Sequence, residues 1–166
     1  MNNMKKLLSI LILCFCFSSF IQGKIKLPAM MGDHMILQQN SSVKLWGWAD
    51  NKKVTVTPSW NNQTYQVLTD KNGAWLVKVN TPGASYTPYF ITISDGEEVI
   101  LSDILIGEVW ICSGQSNMDM RMMGNTGQPI DRSLETILHA GNYRNRIRFI
   151  AVSRTKDVQQ RTDFEG

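Results

Sequence analysis

Cysteine is scarce in this chain, and its placement makes it scarcer. Of three cysteines, Cys14 and Cys16 lie inside an almost wholly apolar run, Leu7 to Phe20, which follows Lys5 and Lys6 and precedes Gln22-Gly23. A basic start, a hydrophobic stretch of that length and a small residue near a plausible cut make a secretory signal peptide, expected over residues 1–23. The run is short for a membrane-spanning helix, which needs about 20 apolar residues. Leu13 and Phe15 stand where a lipid-anchor cysteine would want small neighbours. Cleavage near Gly23 therefore leaves Cys112 alone, which excludes an internal disulfide in an exported protein. Lying in an apolar stretch, that thiol is expected to be buried and inert. The expected location is the periplasm or the cell exterior, with no membrane span after cleavage.

Charge of one sign is also lacking. The chain carries 17 basic and 14 acidic residues. Lys5 and Lys6 leave with the signal and no acidic residue does, so the mature balance is 15 against 14, no argument for a nucleic-acid partner. Arg144, Arg146, Arg148 and Arg154 make the tail basic and read as solvated positions. Histidine occurs twice, as His34 and His139. There is no CxxC, no HExxH and no clustered ligand set at metal spacing, and GNTG has no GK[ST] after it. No metal and no cofactor is expected.

What the chain has in quantity is short strand patterns. Val43–Trp48, Val54–Thr57, Tyr65–Thr69, Trp75–Val79, Tyr89–Ser94 and Glu97–Leu101 are rich in β-branched and aromatic residues and nearly alternate. Asn72-Gly73 and Asp95-Gly96 supply the positive φ angles of tight turns, so hairpins are expected across both. Strands arriving about every ten residues imply an antiparallel β-sandwich, placed at residues 24–104. Trp46, Trp48, Trp60 and Trp75 are read as core, with sugar stacking as the competing use of Trp46, Trp48 or Trp60. From residue 105 the pattern changes to strand, helix, helix, strand. Val109–Cys112 and Arg146–Val152 are the strands, and Ser116–Met123 and Asp131–Ala140 the helices, the second capped by Asp131 or Ser133. Residues 105–166 thus read as the incomplete start of an α/β domain with a parallel sheet.

The chemistry concentrates where the first of those strands meets a polar corner, Ser113-Gly114-Gln115-Ser116-Asn117. A serine at such a corner presents its hydroxyl to solvent, with backbone N–H groups beside it for any negative charge that develops. The whole run GEVWICSGQSNM resembles the first block of the sialate O-acetylesterase family of SGNH hydrolases, and LPAMMGDHMILQQ before a WGW strand resembles the start of that family's mature region. The resemblance implies a flavodoxin-like SGNH domain after the sandwich. It also implies that Ser116 is the nucleophile and that its N–H is an oxyanion donor, with Gly114, Gln115 and Asn117 as the supporting motif. The implied substrate is an O-acetylated sialic acid or another acetylated glycan.

A serine hydroxyl needs a base. The resembled family takes its base from a DxxH motif near the end of a longer domain, and neither histidine here stands in DxxH. His34 is expected to be structural, and His139 to bond the last carbonyls of its helix. Gly124, Asn125 and Gly127 read as a turn rather than a second oxyanion block. Two functions are therefore expected in order. The first is a carbohydrate O-acetylesterase of which this chain is an incomplete, inactive portion. The second is a non-catalytic secreted β-sandwich module that binds glycan or serves a structural role.

Overall fold

The computed structural model describes residues 25–152 together with Gln159, Arg161 and Asp163. The expected signal peptide, with Cys14 and Cys16, lies outside the described residues, as does Arg154. Seven strands follow one another: β1 (Ile36–Gln38), β2 (Ser42–Trp48), β3 (Lys53–Pro58), β4 (Tyr65–Leu68), β5 (Ala74–Asn80), β6 (Ser85–Ser94) and β7 (Glu98–Gly107). They form a five-stranded mixed sheet, β1-β7-β6-β3-β4, and a two-stranded antiparallel sheet, β2-β5. β1 pairs with β7 in parallel, and the other partners are antiparallel.

Alternation explains how the two sheets share one core. Leu45 of β2 and Trp75, Val77 and Val79 of β5 are buried together with Val54, Val56, Ile91, Ile93, Leu101, Ile104 and Ile106 of the larger sheet. Their neighbours at odd spacing, such as Lys44, Leu76 and Lys78, are exposed, which is the period of two that a pleated strand imposes. The β6–β7 register departs from that period twice, first between Ser85 and Tyr89, where β6 takes four steps to two of β7, and again between Tyr89 and Ile91. Tyr89 lies opposite Ile104 and Ile91 opposite Leu101, so β7 takes three steps where β6 takes two. The extra residue is absorbed at a bulge, with Asp103 at φ 54°. The phase shift lets Leu101 and Ile104, three apart, face the same core.

Several expectations need correction. The Asp70–Gly73 turn forms, with Gly73 at φ 77° and Asp70 Oδ1 accepting from the N–H groups of Asn72 and Ala74. It does not close a hairpin, however: β4 pairs with β3, and β5 pairs with β2. The turn carries the chain from one sheet to the other, because β4 has its hydrogen-bonding edge on β3. The Asp95-Gly96 hairpin does form, joining β6 to β7, with Ser94 opposite Glu98. The larger sheet continues through Gly107, three residues beyond the expected boundary.

After Gly107 no strand forms among the described residues. Val109–Cys112 and Arg146–Val152 are irregular and, apart from Arg148, exposed, with Trp110 82% and Phe149 92% accessible, since no partner strand offers them a ladder. Cys112 is accordingly exposed rather than buried. Among the described residues after Gly107 there are two short helices, α1 (Ser116–Asp119) and α2 (Ser133–His139), the latter running into a 3₁₀ turn, Ala140–Tyr143. The N-cap of α2 is Arg132, at φ 55° with no side-chain cap, rather than Asp131 or Ser133. Its guanidinium instead forks onto Glu135, with two bonds of 2.8 Å. Among the described residues no helix is long and apolar enough to cross a membrane.

Ile93 is fully buried while Ile100 is 54% exposed. Ile93→Ala is therefore expected to lower unfolding free energy by about 2–5 kcal/mol, and Ile100→Ala by about 0.5 kcal/mol or less. Urea unfolding followed by tryptophan fluorescence checks the contrast.

Candidate functional site

Ser116 opens α1 immediately after an irregular corner. Gln115 precedes it at φ −98°, ψ −142°, and the Met118 N–H closes a turn onto the Gln115 carbonyl at 3.0 Å. Gly114 is shaped by that turn: a Cβ added there would meet Met118 Cγ at 2.7 Å, so a side chain would displace the methionine folded over it. Gly114, Gln115, Ser116 and Asn117 are all exposed. The corner therefore presents the Ser116 hydroxyl to solvent, as the sequence pattern suggested, but from a loop leading into a four-residue helix rather than from the end of a strand.

Neither histidine is hydrogen-bonded to Ser116 among the described residues. His139 donates from Nδ1 to the Glu135 carbonyl at 2.9 Å, one turn back along α2. His34 donates from Nδ1 to Asp103 Oδ2 at 2.6 Å. Gly124, Asn125 and Gly127 form a turn: Gly124 and Gly127 have positive φ, the Gln128 N–H donates to the Asn125 carbonyl at 2.9 Å, and a Cβ on Gly124 would lie 2.5 Å from the Gln128 carbonyl. Among the described residues there is no group of three histidine, cysteine or carboxylate side chains able to hold a metal ion.

Polar anchors that the sequence did not advertise tie the Ser116 segment to the sheet. Next to the end of β7, Glu108 accepts from Gln38 Nε2 at 3.0 Å and from Gln39 Nε2 at 2.6 Å, and the Val109 N–H donates to Gln38 Oε1 at 2.9 Å. The amide of Gln39, followed by that of Gln38, holds the Glu108 carboxyl below its usual range. Farther along, Arg148 donates to the carbonyls of Met35 and Asp103 and to Asp103 Oδ2. It is largely buried rather than solvated, with 19% of its side chain exposed. Arg146 lies over the Tyr86 ring at 4.9 Å. These partners stand between 45 and 113 residues apart for the main contacts to Arg148, so no local pattern could have named them.

No protein-family model matches the chain. It is similar to two curated proteins named sialate O-acetylesterase: 26% identical over 151 residues to that of Rattus norvegicus, covering 85% of this chain, and 26% identical over 152 residues to that of Pongo abelii, covering 84%. The chain spans 27% of the length of each of these relatives. Among solved structures it is similar to a protein described as a novel carbohydrate acetylesterase from Xanthomonas citri, at 28% identity and a TM-score of 0.55. That match covers 60% of this chain and 23% of the other.

The lowered Glu108 pKa has a defined sign. The carboxylate is favoured in the folded chain, so its contribution is present above the ordinary glutamate value of 4.5 and is lost as pH falls through the lowered one. An NMR titration of the Glu108 side-chain carbonyl is expected to show a midpoint below 4.5 that rises when Gln39 is replaced by alanine.

Proposed function

Starting from the premise that this chain belongs with the sialate O-acetylesterases, we propose that Ser116 is the nucleophile position of a glycan O-acetylesterase. The observation that carries this is the exposed GQSN corner, Gly114 to Asn117, in a chain whose relatives bear that name. In this reading the sheets of residues 25–107 are a β-sandwich, and the segment after them is the first part of an SGNH catalytic domain. The protein is exported by the signal at residues 1–23. The substrate is an O-acetylated sialic acid or a related acetylated sugar.

The chemistry follows from the serine. Its oxygen attacks the acetyl carbonyl, and the backbone N–H of Ser116 faces the oxyanion that forms. The sugar hydroxyl then leaves with the proton taken by the base, and water releases acetate from the acetyl-serine. Because neither His34 nor His139 is hydrogen-bonded to Ser116 among the described residues, in this reading the base comes from outside them. Residues 25–166 alone are accordingly a portion without turnover.

A second reading has its own observation. On β2 and β5 the positions opposite the buried face include Trp46 and Trp48, with Leu76 paired to Trp46 and 51% exposed. Lys26 lies over the Trp48 ring at 5.6 Å. An apolar, aromatic strip of this kind can stack on sugar rings, and such a module would bind glycan without cleaving it.

Acetate release from an O-acetylated sialoglycan separates the two. For the protein as its gene produces it, Ser116→Ala is expected to cut turnover by about 10⁴-fold or more, with binding of the same glycan retained. Equal turnover by the two forms would refute Ser116 as nucleophile. Absence of turnover in both, with binding lost in Trp48→Ala, would establish the binding module instead.

A further inference from the structure

The segment carrying Ser116 touches the sheets through polar anchors and buries nothing of its own. Among the described residues from 108 onward, none is buried, and Trp110, Ile111, Met123, Leu134, Leu138 and Phe149 are each at least 70% exposed. Packing therefore does not determine where this segment sits. Something else must, and beside the Arg146 contact with Tyr86 and the Asp163 carboxylate that accepts from the Ala29 N–H, the strongest candidates are two sets of polar contacts that bracket Ser116. Glu108 is held by Gln38 and Gln39 next to the end of β7. Arg148 is held by Asp103 and Met35 thirty-two residues beyond Ser116.

The Arg148 contact has the features of a built site. Its guanidinium satisfies three acceptors at once, two carbonyls from Nη1 and a carboxylate oxygen from Nη2, in the fixed planar geometry that distinguishes arginine from lysine. Asp103 is presented to it by the β7 bulge, in a left-handed conformation that non-glycine residues adopt sparingly. His34, on the other side of the same carboxylate, is also left-handed, at φ 65°. Its backbone N–H donates to the Ser102 carbonyl at 3.0 Å, while the carboxylate of Asp33 accepts the Ser102 N–H at 2.6 Å. Two left-handed residues thus meet through one carboxylate, with the Ser102 carbonyl holding the His34 N–H and the Asp33 carboxylate holding the Ser102 N–H. The His34 hydrogen bond is the largest cause of a lowered Asp103 pKa; partial burial opposes it and Arg148 reinforces it.

We infer that Arg148, Asp103 and His34 form a clasp that sets the orientation of the Ser116 segment on the sheet, with Arg148 as the positioning residue and the β7 bulge as its seat. The bulge then has two uses: it brings Leu101 and Ile104 onto one face and it turns the Asp103 carboxylate toward Arg148. The inference is independent of whether Ser116 is a nucleophile.

The test is a distance measurement in the full chain, with Cys14 and Cys16 replaced by serine. One nitroxide is placed on the exposed Cys112 and one on Lys78→Cys of β5, and the distance distribution is read by pulsed electron resonance. Arg148→Met and Asp103→Asn are each expected to broaden it at least about twofold, and the double variant to be no broader than either, because both remove the same contact. Asparagine tolerates the left-handed conformation at 103, so the second variant leaves the backbone unstrained relative to the parent. As a pH readout, the parent distribution should broaden as pH falls through the lowered Asp103 range, below 3.8, while Asp103→Asn is broad throughout. An unchanged width in Arg148→Met, additive effects in the double variant, or loss of the sheet's circular dichroism in either single variant would overturn the inference. The last outcome would make these residues part of the sheet's own stability.

Discussion

The structure depends on β7 being satisfied along both edges. It is the strand to which β1 adds in parallel and β6 in antiparallel fashion, and nearly everything else is placed by reference to it. Its core-facing residues, Leu101, Ile104 and Ile106, are laid against the β2–β5 pair. An interior strand cannot leave backbone groups unpaired without losing about what a buried hydrogen bond is worth. That requirement, rather than any single side chain, confines the extra residue of β7 to the bulge opposite Tyr89–Ile91 and fixes which residues project at Ser102 and Asp103.

From this strand the two halves of the chain diverge in how they are held. Residues 25–107 obey the ordinary logic of a sheet protein: apolar residues inside, alternation along each strand, and turns where asparagine, aspartate and glycine permit positive φ. Beyond Gly107 the side chains are still rich in tryptophan, isoleucine, leucine and methionine, yet the described ones are not buried. The contacts that secure them are charge-assisted and amide hydrogen bonds to Gln38, Gln39, Met35 and Asp103. Position in this part of the chain comes from directional bonds and not from exclusion of water. The GQSN corner belongs to this second regime.

The legibility of the fold from sequence follows the same division. The β6–β7 hairpin was readable because its Asp-Gly turn and its two strands are contiguous. The β4–β5 hairpin was misread because an Asn-Gly turn specifies a local reversal and says nothing about which edge the emerging strand will meet; β5 found β2, about thirty residues back. The apolar runs at 109–112 and 146–152 were read as strands because hydrophobicity and β-branching are the same whether or not a partner edge exists. At the candidate site, the serine corner was legible as a contiguous motif. The anchors were not, since Arg148 gives no sign in its neighbourhood that it reaches Asp103.

The parallel pairing of β1 with β7 also sets an order of assembly. Ile36 meets Leu105, Leu37 meets Ile106 and Gln38 meets Gly107, so the first strand to be synthesised has its only ladder partner some seventy residues later. The β2–β5 pair can form well before that, while β1, Ile36-Leu37-Gln38, waits unpaired until the far end of β7 exists. Closing so long a loop is slow and comes late. Maturation of the larger sheet is thus timed by the arrival of residues 105–107, the same residues that lead directly into the serine-bearing segment.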